Sequence, residues 1–363
     1  MSVWYAKSLH EYIRMIDCIS EKHRDRRMGQ ERKFPLWFRG NEQTDVYYYL
    51  DPGIYRDFYT KKEKNLFDDS KNYGTLWLKE EYRFQHFVAR NYDKVSAMPE
   101  SYIEWQEVMQ HYFSKTRLMD WSESAVVALS FALEAYINPV EDHEVRYKRR
   151  HNSPVVWVLN PVKLNRIIYQ CFKDNIELVE AAMEGIHNKY TTAKMHDMLQ
   201  RHEELYFSLD DAVNGGVNGL VSLSGLEALR KSKGGNLQAA LDTGNMNPFF
   251  FLLLKYYSEG LEVEVNKLPP LAIIHPQHST RIHEQKGAFT IFPYYNDKGS
   301  GLTEIGISPY AMEYMPLCRD CLEEIILTDA WKIAEELKDI GVRRSHMYPE
   351  MENITKDFEN IKY

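Results

Sequence analysis

The sequence predicts an α+β fold in which a central mixed sheet of short strands is surrounded by helices. Three observations carry that expectation. Short runs rich in β-branched and aromatic residues are bounded by proline, glycine or polar turn formers: LWFRG (36–40), PVVWVLNP (154–161), LAIIHP (271–276), GAFTIFP (287–293) and EEIILT (323–328). Longer stretches between them repeat apolar residues at helical spacing. The order of the two kinds is too irregular for repeated βαβ units.

Taken in chain order, Trp4, Tyr5, Leu9, Tyr12, Ile13 and Ile16 share a helical rhythm that predicts a first helix over 3–20. The run EKHRDRRMGQERK (21–33) mixes acids with bases and reads as a solvated helix end or loop. LWFRG then reads as a buried strand closed by a glycine, and LDPGIYR (50–56) as a Pro-Gly turn. Leu76, Trp77, Tyr82, Phe84, Phe87 and Val88 predict a second helix, and SYIEWQEVMQHYF continues helical to about Met109. SKTRLMDWSES (114–124) breaks the pattern with polar turn formers and predicts a loop. AVVALSFALEAYI follows as an apolar helix capped by Ser122 or Ser124.

PVVWVLNP is nearly continuous valine and tryptophan between prolines, the mark of a strand buried on both faces. Residues 161–260 read as a mostly helical insert, and NGGVNG (214–219) within them as a plain loop, since no strong strand precedes it and no Gly-Lys-Ser/Thr follows. After three more strands, DAWKIAEELKDIGV predicts a helix stopped by Gly341, and the tail a further short helix. The 363 residues read as one domain with the insert inside it.

Composition narrows the function. Of the residues, 44% are hydrophobic and 27% charged, which is ordinary for a globular chain, and 25 tyrosines suit a fold with deep, partly wet clefts. A net charge of −8 argues against a partner bound by bulk phosphate attraction, such as duplex nucleic acid. No window reaches the ~18 apolar residues of a membrane span, no signal peptide is legible, and four cysteines fit a reducing compartment, so a cytoplasmic location is expected. Cys318 and Cys321 form a lone C-x-x-C and read as free thiols; His275, His278 and His283 lack the definition of a zinc set, and no metal is expected.

The densest chemistry lies between two predicted helices, where His111, Tyr112, Thr116, Arg117 and Asp120 fall within ten residues. A histidine transfers protons near neutral pH, an arginine clamps phosphate or carboxylate, and an aspartate orients either. The bland alternative has Asp120 capping the next helix, Arg117 paired with it and His111 a satisfied core residue. Arg56 stands between a second phosphate ligand and a structural partner of Asp51 or Asp120, and Tyr47, Tyr48 and Tyr49 between base stacking and cover for a core edge.

WFRGN (37–41), YLDPGIYR (49–56), QHYFSKTRLMDWSESAVVALSFAL (110–133) and RIHEQKGAFTIFP (281–293), in that order, resemble the FRG domain, a bacterial and phage-associated family named for its Phe-Arg-Gly motif. LKDIGVRRSHMYPEMENI (337–354) is similar to that family's closing segment, so the resemblance spans residues 3–356. One departure is Phe113, where family members often carry glycine. The order of elements is in turn similar to ADP-ribosyltransferases, with a first strand ending in Arg-Gly, a middle polar motif and a late strand opening on an acid or amide.

That resemblance implies NAD as the nucleotide substrate, in a toxin or anti-phage effector whose macromolecular acceptor is unknown. It makes Arg39 and Gly40 the phosphate or ribose anchor, with Arg56, Tyr112, Thr116 and Arg117 around the nucleotide. His111 and Asp120 are catalytic candidates, and Glu284 or Gln285 holds the nicotinamide ribose. Because neighbours in a strand face opposite ways, one of 284 and 285 is expected to enter the site. Glu284 inward favours turnover, and Gln285 inward favours binding without turnover. A non-catalytic nucleotide- or protein-binding module and a metal-dependent nuclease toxin are the alternatives.

Overall fold

The computed structural model describes residues 1–24, 33–42, 49–56, 73–95, 99, 102–112, 114–137, 153–174, 221–222, 268–274, 280–293, 311–348 and 355. Tyr47, Tyr48, His275, His278, NGGVNG, the side chains of Arg56 and His111, and most of the expected insert lie outside these residues. The described strands are β1 (Val3–Ala6), β2 (Trp37–Asn41), β3 (Leu118–Ser122), β4 (Val155–Leu159), β5 (Val221–Ser222), β6 (Leu271–Ile274), β7 (Gly287–Ile291) and β8 (Leu322–Leu327). They form one mixed sheet in the order β1-β8-β4-β2-β3-β7-β6-β5, whose last member is a two-residue strand. Only its end pairs, β1 with β8 and β5 with β6, are parallel. The fold is thus mixed α/β with a mixed sheet, as the sequence predicts at that level.

The described helices are α1 (Leu9–Lys22), α2 (Gly53–Arg56), α3 (Tyr73–Asn91), α4 (Tyr102–His111), α5 (Ala125–Ala132), α6 (Glu134–Ile137), α7 (Pro161–Asp174), α8 (Thr280–Glu284) and α9 (Ala330–Asp339). A buried cluster joins Tyr12 and Ile19 of α1, Leu129 of α5, Ile333 and Leu337 of α9, and Phe38, Val156, Val158, Ile325 and Leu327 of β2, β4 and β8. In β4 all five residues are buried, which is why its apolar run has no polar alternation.

The expected helix over 3–20 is corrected at its start. Val3, Trp4 and Tyr5 form an edge strand beside β8, and the helix begins only after Ser8, whose hydroxyl accepts from Glu11 N at 3.2 Å while Glu11 Oε2 accepts from Lys7 N at 3.0 Å. Ser-x-x-Glu is a capping signal, and it outranks the periodicity that ran through Trp4 and Tyr5. Glu323, buried in β8, fixes this end by accepting from Ser2 N, Trp4 Nε1, Lys22 Nζ and His23 Nε2 at 2.8, 3.3, 2.5 and 3.2 Å.

The expected loop 114–124 is also corrected. Leu118–Ser122 is a strand in the sheet, in register with β7 from Leu118↔Ile291 to Ser122↔Gly287. Its serine and aspartate resemble turn formers, but pairing with a segment about 170 residues away decides the conformation. LDPGIYR includes the single turn of α2 rather than only a β-turn, held by Tyr55 Oη donating to Pro293 O at 2.6 Å. Within 161–260, Pro161–Asp174 is helical as expected, whereas Val221–Ser222 is a strand. The tail's described helical turn is the 3-10 segment Arg344–His346.

Gly40 lies inside β2 rather than closing it. An ideal Cβ there would stand 1.9 Å from Ala128 O and 2.5 Å from Ala132 N, so the glycine lets α5 pack backbone against backbone on the strand. This close approach brings α5, and with it one wall of a cavity, onto β2.

Candidate functional site

A cavity of about 290 Å³ opens where α4, α5 and the turn after α8 meet strands β2, β3 and β7. Arg39, Gly40, Asp120 and Gln285 line it, so three segments far apart in sequence converge on one space. Phe131 on α5 and Phe289, which pairs with Asp120 across the sheet, line it as well, aromatic side chains suited to a planar ring. Small-molecule sites are typically apolar cavities of this kind with a few convergent polar groups.

Each polar group is fixed by its element. Arg39 sits in β2 beside β3, and its Nη1 donates to the main-chain oxygen of Asp120 at 2.6 Å, with Asp120 Oδ2 at 3.9 Å. The Arg39 side chain is 19% exposed and that of Asp120 59%, which sets the pair at the cavity mouth. Gln110 on α4 donates from Nε2 to Asp120 Oδ1 at 2.7 Å and accepts at Oε1 from Thr116 Oγ1 at 2.7 Å. Thr116 Oγ1 in turn accepts from Leu118 N at 3.2 Å. Both ends of the Gln110 amide are therefore committed, and the Asp120 carboxylate is held in one orientation.

The expectation that 284 and 285 open a strand is corrected. Glu284 ends α8, Gln285 and Lys286 form a turn, and β7 starts at Gly287. Lys286 has φ 47, a left-handed conformation that a non-glycine residue adopts at some cost. Its carbonyl accepts from Glu123 N at 2.9 Å, and Gln285 O accepts from Ser122 Oγ at 2.6 Å, so the turn is pinned to the end of β3. The Gln285 side chain reaches the cavity and donates to Met347 O at 2.7 Å. Glu284 has a side chain 53% exposed, with His283 Nδ1 at 3.9 Å, and is not among the lining residues.

The remaining candidates sit elsewhere. Arg117 is fully buried and does not line the cavity, donating from Nε to Glu80 Oε2 at 2.7 Å and from Nη1 to Phe292 O at 2.6 Å. Gln106 Nε2 donates to the other Glu80 oxygen at 2.6 Å, tying α3 and α4 to the residue just before β3. The pairing of Arg117 with Asp120, and Asp120 as the helix cap, are both replaced, since Ser124 caps α5. Thr116 is buried and acts through Gln110. Tyr112 is 65% exposed, its ring 6.4 Å from that of Phe87. Tyr49 packs edge-on against Tyr314 at 5.5 Å.

Glu107 and Gln110 line the cavity and were missed in the sequence. They lie three apart on α4, hence on one face, and that spacing was the available signal. Glu107 is 2% exposed, a carboxylate withdrawn from bulk water yet facing the cavity. Among the described residues no group of three or more His, Cys, Asp or Glu is placed to hold a metal ion, and no helix is long and apolar enough to cross a membrane. Cys318 and Cys321 are buried and free.

Chemically, the cavity offers a cation for an anionic group, carboxylates for donors or developing positive charge, and rings for a flat heterocycle. No curated protein and no solved structure matches the chain. The model of the FRG domain matches residues 35–140, the segment that contributes Arg39, Gly40, Glu107, Gln110 and Asp120 to the cavity.

Proposed function

We propose that the cavity binds NAD and that the protein is an ADP-ribosyltransferase-like or NAD-cleaving enzyme of the cytoplasm, acting as a toxin or anti-phage effector. The observation that carries this reading is the convergence of Arg39, Asp120 and Gln285 on one aromatic-walled space. Arg39 clamps a phosphate, and the ring stacks among the aromatic side chains. In the reaction the bond between ribose C1′ and the nicotinamide nitrogen breaks, its electron pair leaving with the nicotinamide. Water or an acceptor nucleophile then attacks C1′ and gives its proton to a carboxylate, for which Asp120 stands at the mouth.

A second reading is favoured by one placement. Gln285 lines the cavity while Glu284 faces away, and an amide does not stabilise an oxocarbenium ion as a carboxylate does, so the site binds a nucleotide without turnover. Incubation with NAD separates the two. Nicotinamide release supports the first, and tight binding without release the second. Arg39→Ala is expected to abolish binding in either case while leaving the thermal midpoint in place; normal NAD binding by that variant sinks the site. Metal-dependent cleavage of DNA or RNA would redirect the assignment to a nuclease.

A further inference from the structure

We propose that the C-terminal segment Arg344–Tyr348 is part of the binding site and makes Gln285 a specificity-determining residue that must be an amide. One end of that amide is held by the Met347 carbonyl, and the other accepts a hydrogen bond from a hydroxyl or N–H group of the ligand. The proposal rests on the nucleotide reading above and adds to it a chain segment and the ligand chemistry selected there. Both Gln285 and the segment lie outside residues 35–140, the part of the chain that matches the FRG domain.

Two residues that line the cavity rest against this segment. Phe131 of α5 meets the Tyr348 ring edge-on at 5.9 Å, and Gln285 Nε2 donates to Met347 O at 2.7 Å. Glu134 of α6 anchors the segment beside α5, accepting from Tyr348 Oη at 3.3 Å with Arg344 Nη2 at 3.6 Å, and Met347 is buried between these contacts. A main-chain carbonyl only accepts, so the NH2 end of the Gln285 amide must face Met347 and the oxygen is the end left over. That oxygen has no partner among the described residues and is not sealed from solvent, in a residue that lines the cavity. A ligand group beside it meets an acceptor and must bring a donor. An ionised carboxylate at 285 could not serve both sides, because it only accepts and would set an oxygen against Met347 O.

The test is calorimetric titration of the full chain with NAD at about pH 8 and about pH 4.5, on either side of the range in which a carboxyl facing a carbonyl titrates. Each variant is expressed as a ratio to wild type at the same pH, so that titration of Glu107, Asp120 and the other groups of the cavity cancels. Gln285→Met keeps the length and loses both hydrogen bonds, and is expected to weaken NAD about tenfold at either pH. Gln285→Glu is expected to match it at about pH 8 and to return to within about threefold of wild type at about pH 4.5, where the protonated acid donates to Met347 O and keeps a carbonyl oxygen for the ligand. The acid lacks the amide's second N–H, so that recovery identifies the oxygen as the ligand's partner. Thermal midpoints at both pH values separate a folding defect from a binding one. Gln285→Glu binding like wild type at the higher pH overturns the proposal, and so does a folded Gln285→Glu that does not recover at the lower. Wild-type affinity in Gln285→Met overturns it without any titration. In each of these outcomes NAD still binds the wild-type chain and the nucleotide reading stands. If the wild-type chain does not bind NAD at either pH, the nucleotide reading falls and the proposal with it.

Discussion

Gly40→Ala tests the packing on which the cavity depends. The added methyl would meet Ala128 O at 1.9 Å and Ala132 N at 2.5 Å, whereas ordinary contact begins near 3.4 Å. Relief therefore requires α5 to withdraw by about 1.5 Å from β2, because the obstacles are main-chain atoms and no side-chain rotation removes them. Such overpacking costs about 3 kcal/mol, the upper end of the usual range. At about 2 cal/mol/K per residue over 363 residues, that loss lowers Tm by about 4 °C. Phe131 and Ala128 of α5 line the cavity, so NAD affinity should fall in whatever fraction remains folded. The assay pairs thermal melts followed by circular dichroism with NAD titration. Gly341→Ala is the control, since it has open space at φ +85 and should cost only about 1 kcal/mol of backbone strain. A Gly40→Ala melt within about 1 °C of wild type, with unchanged NAD affinity, would refute the claim that this contact sets the wall.

Two further predictions concern buried charge. Burial pushes Glu323 up, but hydrogen bonds from His23, Lys22, Ser2 N and Trp4 outweigh it and hold its pKa at about 2. A depressed carboxylate stabilises the fold above its ordinary value of 4.5 and loses that contribution as pH falls toward 2. Glu323→Gln should therefore cost about 3 kcal/mol in urea denaturation at pH 7 and clearly less at pH 3, and a pH-independent gap contradicts this. Arg117→Met should cost about 3–5 kcal/mol by stranding Glu80 in the interior, while Arg117→Met with Glu80→Met should recover most of it; additive losses in that cycle would mean the two side chains are not coupled.

Residues close together in the chain determined what needed only local physics. The apolar run 155–159 made β4 legible, the periodicity of 75–92 made α3 legible, and Gly341 marked the end of α9. Arg39 and Asp120 were visible as site candidates because their motifs are compact. Tertiary structure alone decided whatever depends on pairing across the sheet. Asp120 and Ser122 favour a turn locally, and the ladder with 287–291 makes their segment a strand.

The same dependence explains which candidates reached the cavity. Arg117 and Asp120 lie three residues apart, yet one is consumed by Glu80 in the interior while the other stands at the mouth. Glu107 reads in the sequence as one more acid on an amphipathic helix. It enters the cavity only because α4 docks beside β3, which a single chain's periodicity cannot reveal. Spacing along a chain fixes which side chains share an element's face, but which face meets which depends on burial summed over the whole sheet.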